Sequence, residues 1–328
     1  MKAILFDQPG PPEVLHYGDA PDPQPAEGEL LVRVRASAIN RADLLQRRGA
    51  YPPPPGASSI LGLELAGEVA EPAGEWRVGD RVMAVVTGGG YAELAAVPAG
   101  MAIRIPGRFS FDEAGAIPEA FLTAFLNLFT LGKLQAGETV LVHAGASGVG
   151  TAAIQLARAV GARVFATAGA EEKLALCREL GAELTINYKQ EAFQERVIEA
   201  TGGRGVNVVL DFIGAPYWDA NLAALAIGGR LAVIGFLGGS RGELDLGPIL
   251  GKTLTVVGTG LRRTPMPQKT ALTAAFAEFA LPRFESGELR PVIDSTYPLE
   301  QAAEAHRAME ENKNAGKIVL RVEPLPRQ

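Results

Sequence analysis

Between residues 139 and 257, six short apolar runs alternate with helix-forming stretches, and this alternation restricts the chain more than any other feature. The runs cover residues 139–143, 163–167, 184–187, 206–212, 230–234 and 254–257. Helical patterns fall at 148–160, 171–180, 190–200 and 216–226. Strands that are apolar on both faces belong in a parallel sheet covered by helices on each side. The expected fold class is therefore α/β, with a doubly wound, six-stranded parallel sheet.

The first of these strands runs into Gly145-Ala146-Ser147-Gly148-Val149-Gly150, and a helix follows at once. The spacing is GxGxxG with Ser147 in the second glycine's place. Gly145 allows a sharp turn, Ser147 is small enough for a pyrophosphate to approach the backbone, and Gly150 lets the helix pack closely. The helix start presents N–H groups and partial positive charge to phosphates, so Ser147, Gly148 and Val149 are expected to face them. The plain alternative is a strand–helix turn that binds nothing.

The second strand ends Ala166-Thr167-Ala168-Gly169-Ala170, without the acid that grips a ribose 2′-hydroxyl in NAD-binding chains. Lys173 follows shortly, and Tyr188 follows the third strand. A missing carboxylate with a cation nearby suits a 2′-phosphate, so NADPH is expected, with Gly169, Lys173 and Tyr188 around that phosphate. Glu171 and Glu172 oppose this reading unless they are ordinary first-turn acids, and Lys173 also reads as a solvated helix lysine. Gly214, Gly235, Phe236 and Leu261 follow strand ends on the side where doubly wound sheets bind ligands.

The flanks differ from this core. Short β-type runs at 29–36, 64–70, 80–86 and 92–97 are separated by Pro21, Pro23, Pro25, the prolines 52–55 and the glycines 88–90, which suggests a barrel-like β domain. Residues 112–131 read as one helix. After Gly260 come helical patterns at 265–284 and 299–312 and strands at 292–297 and 317–322. That tail is too thin to stand alone, so it is expected to complete the first domain. The expected division is 1–118, 119–259 and 260–328 of the 328 residues.

Net charge is −6, and no basic-aromatic cluster occurs, so nucleic acid and anionic membranes are not expected partners. No run of apolar residues approaches the length of a membrane span. Cys177 is the only cysteine, which excludes an intrachain disulfide and multi-cysteine metal sites, and His16, His143 and His306 lack metal-ligand spacing. No metal site is expected, and the composition fits a cytoplasmic protein.

Seven segments carry a resemblance: SAINRAD (37–43), GAYPPPP (49–55), LGLELA (61–66), VGDRV (78–82), IPEAFLTAF (117–125), HAGASGVGTAAI (143–154) and NAGKIVL (314–320). Through them the chain resembles the medium-chain dehydrogenase/reductase superfamily, and within it the zinc-independent, zeta-crystallin-like quinone oxidoreductases, closest to the stress-induced quinone reductase homologue branch. The resemblance implies a GroES-like catalytic domain, a Rossmann domain and an active site between them. It also implies a homodimer joined through the last Rossmann strand, residues 254–258. Zinc-dependent relatives place Cys near Asn40 and His after Gly62, whereas this chain has Asn40 and Leu63.

By position in the matched motifs, Asn40 and Tyr51 are the catalytic candidates, as neutral donors near the acceptor oxygen. Asn40 reads equally as a cofactor contact or a cap, and Tyr51 equally as a loop aromatic on prolines. Asp43 and Glu64 read as structural hydrogen-bonding groups. Thr123 matches a residue near the nicotinamide, or else is a buried helix threonine. Lys317 is a cofactor candidate or a surface lysine. The activity implied is NADPH-dependent quinone reduction on a small-molecule acceptor. Reduction of enones or 2-alkenals is the alternative enzyme, and a non-catalytic NADPH-binding protein, crystallin-like or RNA-binding, is the alternative outside enzymes.

Overall fold

The computed structural model describes residues 1–322, so the last six residues of the expected return segment, 323–328, lie outside the described residues. The chain divides into two compact units: Met1–Leu122 together with Arg262–Gln328, and Thr123–Leu261.

The second unit is built on a parallel sheet of six strands. Their order across the sheet is Leu184–Asn187, Arg163–Ala168, Thr139–Val142, Val206–Asp211, Leu225–Val233, Thr255–Gly258. The chain reverses direction across the sheet after its central strand Thr139–Val142, and ligands of such sheets bind at the carboxyl ends near that reversal. Leu141, Phe165, Ile186, Val209 and Leu231, one from each of five strands, pack with Phe193, Val197 and Leu222 from the covering helices. At about 25 cal/mol per Å² of apolar surface removed from water, such side chains each contribute about 1.5–3 kcal/mol.

One strand departs from expectation. The sequence pattern ends a helix at 226 and starts a strand at 230, but the helix Trp218–Ala224 stops earlier and the strand Leu225–Val233 begins at once. A register shift between Val206 and Val208 of the neighbouring strand absorbs the extra residues, and Gly228 takes φ +72°.

The first unit holds a mostly antiparallel sheet. Its order is Ile293–Pro298, Lys317–Arg321, Glu29–Ala38, Glu64–Glu71, Arg81–Val85, Ala102–Arg104, with Leu94–Pro98 also paired to Glu29–Ala38. Two register shifts in the pairing of Glu29–Ala38 with Glu64–Glu71 increase its coiling. The tail enters this sheet through Val319 opposite Ala38. The helix Met266–Ser286 adds Phe276 and Phe284 to a cluster with Phe109 and Phe121, with ring centroids 5.1–6.3 Å apart.

The single helix expected at 112–131 is instead three pieces: Phe111–Gly115, Pro118–Phe125 and a wide π-turn Leu126–Leu131. A residue preceding proline is disfavoured in helical geometry, so the first break falls just before Pro118. In the π-turn the Gly132 N–H reaches back five residues to the Asn127 carbonyl at 2.9 Å. A short helix, Arg41–Arg47, was not anticipated at all. It lies within a segment whose motif resemblance says nothing about its local conformation.

Candidate active site

In the second unit, the buried strand Thr139–Val142 leads to His143, which has no exposed surface. Its Nε2 donates to Asn221 Oδ1 at 2.7 Å, so its Nδ1 accepts from Thr167 Oγ1 at 3.0 Å. Burial pushes its pKa down to about 4, and the ring stacks edge-on against Phe193 and Tyr217. It is a neutral structural histidine.

The turn after it works differently from the sequence reading. Ala144, not Gly145, adopts the left-handed conformation, with φ +47°. Gly145 is required by packing, because a Cβ there would lie 2.8 Å from Cys177 Sγ and 2.9 Å from the Ala166 Cβ. At Gly150 a Cβ would lie 2.4 Å from the Ala144 carbonyl oxygen, so this glycine lets the helix start fold against the turn. Ser147 is the N-cap of the helix Gly148–Ala159, its Oγ accepting from the Gly150 N–H at 3.0 Å. The first-turn N–H groups of Gly148 and Val149 have no partner inside the helix. The turn is thus a cradle of small residues, with Ser147, Gly148 and Val149 half-buried over the buried Gly145, Ala146 and Gly150, and with donors and the helix dipole at its rim, which fits a pyrophosphate.

Cys177, under the cradle, has no exposed surface, and burial pushes its thiol up to about 12. It is a packing residue.

At the end of the second strand, Gly169 sits beside Tyr188. A Cβ on Gly169 would lie 2.7 Å from the Tyr188 hydroxyl and 3.0 Å from Lys189 Cε. Lys189 escaped the sequence reading, although its place directly after Tyr188 was the available signal. Lys173 is half-buried in the first turn of the helix Glu171–Glu179. Glu171 is ion-paired with Arg178 along that helix, which offsets one of the two acids opposing an anion here.

Farther along the sheet, the buried Asp211 accepts from the N–H groups of Ile213 at 2.7 Å and Gly214 at 3.2 Å. Gly214 has φ +91°, and a Cβ there would lie 2.4 Å from the Gly239 carbonyl. Gly235 follows the strand Leu225–Val233, Phe236 is 60% exposed, and Leu261 is buried. Thr123 is buried, and its carbonyl accepts from Asn127 Nδ2 at 2.8 Å.

In the first unit, Asn40 starts the helix Arg41–Arg47, and its N–H donates to Asp43 Oδ2 at 2.8 Å. Both ends of its side-chain amide are engaged. Nδ2 donates to Glu64 Oε1 at 2.9 Å and to the Ala38 carbonyl at 3.2 Å, while Oδ1 accepts from Lys317 Nζ at 2.7 Å. Asn40 therefore holds the cluster together and has no free donor for an acceptor oxygen. Lys317 corrects the reading of a surface or cofactor-binding lysine. It is buried, pairs with Glu64 at 2.7 Å and donates to the Ile39 carbonyl at 3.0 Å. Its ammonium makes two hydrogen bonds and one ion pair, all within the unit.

The network continues through Asp43, which also accepts from Gly62 N–H and the Tyr91 hydroxyl. Burial pushes its carboxyl up to about 6, against the pull of those hydrogen bonds and of Lys317. Beyond Tyr91 lies His306. Arg47 can only donate, so His306 Nδ1 accepts from it at 3.2 Å and Nε2 donates to the Tyr91 oxygen at 3.3 Å. Glu119 donates its backbone N–H to Glu64 Oε2 at 2.9 Å. Burial, reinforced by the negative charge of Glu64, pushes its carboxyl up to about 8.

Tyr51 is half-buried, with the guanidinium carbons of Arg262 and Arg263 at 5.4 Å and 5.7 Å from its ring centroid. Among the described residues its hydroxyl has no hydrogen-bond partner. Burial raises its pKa, so the phenol stays protonated at neutral pH and can donate. Of the two catalytic candidates, Tyr51 is the one with a free donor.

Two family models match the chain: "Alcohol dehydrogenase GroES-like domain" over residues 26–107 and "Zinc-binding dehydrogenase" over residues 148–277. A quinone oxidoreductase of Pseudomonas aeruginosa is 36% identical, over 97% of this chain and 99% of its own. A mycobacterial protein solved in complex with NADPH superposes with a TM-score of 0.87 at 33% identity, covering 98% of this chain and all of the other. An enoyl reductase also superposes with a TM-score of 0.87, at 27% identity over 98% of this chain and 99% of its own. A chain matched from end to end at such identity shares the relatives' fold and ancestry. This chain therefore belongs to the medium-chain dehydrogenase/reductase superfamily, as an oxidoreductase related over its full length to the quinone oxidoreductases.

Proposed function

We propose that the protein reduces quinones with NADPH and without zinc. The observation that carries the reading is the end of the second strand. No acid stands there, Tyr188 and Lys189 crowd Gly169, and Lys173 opens the next helix, a set suited to a 2′-phosphate and hostile to the acid-based grip on a bare ribose. The mycobacterial neighbour solved with NADPH supports the same choice. Gly148 and Val149 would hold the pyrophosphate by their N–H groups, with Gly145 and Gly150 keeping the cradle shallow. Gly214, Gly235, Phe236, Leu261 and Thr123 are proposed to line the rest of the cofactor's path.

NADPH, when bound, supplies the hydride. The chain's own task is to orient the acceptor and stabilise the charge that develops on its oxygen. Tyr51 is proposed as that donor, with the Arg262 and Arg263 guanidiniums lowering the cost of the negative charge beside it. Asn40 acts as a positioning residue through Glu64 and Lys317. Where zinc-dependent relatives have Cys and His, Asn40 offers an already engaged amide and Leu63 a buried hydrocarbon, a poor donor set for zinc. Among the described residues, no group of three or more His, Cys, Asp or Glu could hold a metal ion. Quinones are good electron acceptors and need less Lewis-acid help than alcohols or ketones.

We further propose a cytoplasmic homodimer. Among the described residues the edge strand Thr255–Gly258 has a strand partner on one side only, and Ile227, Leu250 and Val256 on its unit are 82%, 88% and 36% exposed. An open apolar edge needs a cover, and a second copy of the same strand supplies one.

The deciding experiment follows oxidation of NADPH and NADH with an ortho-quinone, with and without a chelator. Turnover that prefers NADPH and ignores the chelator supports the proposal. Absence of quinone turnover with NADPH still bound shifts the reading to enone reduction, which the enoyl reductase neighbour favours.

A further inference from the structure

A cavity of about 740 Å³ in the first unit is lined by the prolines 52–55, Gly56, Ala57, Thr87, Arg262, Arg263, Thr264 and Lys269. Three of these residues are cations and none is an acid. Arg262 is 5% exposed and Lys269 4% exposed, and among the described residues neither they nor Arg263 has an ion-pair partner. Burying an uncompensated charge is costly, and an anionic ligand would offset that cost.

The two buried cations are each incompletely satisfied. Arg262 donates from Nε and Nη2 to the Thr87 carbonyl at 2.9 Å and 2.6 Å, while Nη1 is buried with no acceptor among the described residues. Lys269 Nζ has no hydrogen-bond acceptor among the described residues. Burial lowers its pKa, and Arg262 beside it lowers it further, against a partial offset from Glu119. Glu119, a carboxyl that would offset both cations when ionised, is pushed up to about 8 by burial, so that offset is largely absent at neutral pH. Asp43, at about 6, stays largely ionised and offsets part of the Arg262 charge, but among the described residues neither it nor Glu119 is ion-paired with the cations, so a positive field remains in the cavity. Both arginines also flank the Tyr51 ring, which puts the cations beside the proposed donor.

We propose that this cavity is an anion subsite for the acceptor, and that the preferred substrates are quinones or enones bearing a carboxylate, sulfonate or phosphate. This rests on the reading of Tyr51 as the group that meets the acceptor oxygen. A guanidinium and an ammonium converging on one oxyanion give charge-assisted hydrogen bonds, and the proline-lined wall accepts the ring.

The first test needs no turnover. Calorimetric titration of the full chain with 2-naphthalenesulfonate and with 2-naphthol compares an anionic and a neutral ring. The sulfonate should bind about tenfold tighter, and Lys269→Met should abolish that preference while leaving 2-naphthol within about twofold. Lys269→Arg should keep the preference, and Lys269→Met should melt no lower than the parent because it removes an unpaired buried charge. Equal affinities in the parent protein, or equal losses for both rings in Lys269→Met, would overturn the proposal. So would a Lys269→Met variant that weakens NADPH binding as much as sulfonate binding, since the anion would then be the cofactor's own phosphate. The second test compares kcat/KM for 1,2-naphthoquinone-4-sulfonate and 1,2-naphthoquinone. A preference for the sulfonate that Lys269→Met removes supports the subsite. If neither quinone turns over while sulfonate binding still depends on Lys269, the subsite stands and the quinone reading falls.

Discussion

Replacing Lys317 with Met removes one half of a buried ion pair and keeps the volume. In the parent, Lys317 Nζ lies 2.7 Å from Glu64, which has no exposed surface, and donates to Asn40 Oδ1 and the Ile39 carbonyl. Without the ammonium, the folded protein must either bury an unpaired carboxylate or take up a proton there. An unfolded glutamate titrates near pH 4.3, so protonation at pH 7 costs about 1.36 × 2.7, or roughly 3.7 kcal/mol, and this caps the charge penalty. Two acceptors losing their donor add about 1 kcal/mol each at most. The expected loss is therefore about 4–6 kcal/mol at pH 7, at or just above the roughly 3–5 kcal/mol measured when a buried pair loses one partner.

The same reasoning fixes the pH dependence. At pH 5 the protonation cost is only about 1 kcal/mol, so the variant should recover about 3 kcal/mol relative to the parent on acidification. Glu64→Gln in the Lys317→Met background should likewise return most of the loss at pH 7, because it removes the stranded charge. The assay is urea unfolding followed by Trp76, which is buried in the same unit and donates to the Ala99 carbonyl, with Trp218→Phe removing the other tryptophan signal. A loss below about 1 kcal/mol at pH 7, or a loss independent of pH, would refute the reasoning.

Three further outcomes are expected. Lys173→Glu, and separately Lys189→Glu, should raise the KM for NADPH much more than that for NADH; equal effects would remove the residue from the phosphate pocket. Glu119 keeps its proton in the folded state up to about pH 8, whereas the unfolded chain loses it near pH 4.3, so the parent loses stability as pH rises across that window. Glu119→Gln should therefore gain stability over the parent progressively from pH 5 to pH 8 in thermal melts, and parallel melting profiles would contradict this. Val256→Lys, on the open edge strand, should convert a dimer to a monomer in light scattering coupled to gel filtration, with no loss of fold by circular dichroism.

Much of the second unit is readable in the sequence because its signals are local. A parallel strand covered on both faces must be apolar throughout, and a phosphate cradle must follow its strand directly, so residues 139–150 announce themselves. The missing acid after Thr167 is equally local. Even here the division of labour between Ala144 and Gly145 was not visible. Gly145 is required by where Cys177 and Ala166 come to lie, and those contacts span more than twenty residues of chain.

The first unit shows the opposite case. Asn40 and Lys317 each matched a motif, yet their partnership joins positions 277 residues apart, and His306 meets Arg47 across 259. Nothing in the local pattern of either residue marks it as buried, since lysine and asparagine are as common on surfaces. The tail strand Lys317–Arg321 had to pair with Glu29–Ala38 before Lys317 could reach Glu64. The same holds for Tyr51, a catalytic candidate by motif position and equally a loop aromatic in sequence, which only the fold sets beside Arg262 and Arg263. Periodicity and turn chemistry act between neighbours in the chain and so are written in the sequence. Burial and charge pairing act between neighbours in space, and only the folded tertiary structure decides which residues those are.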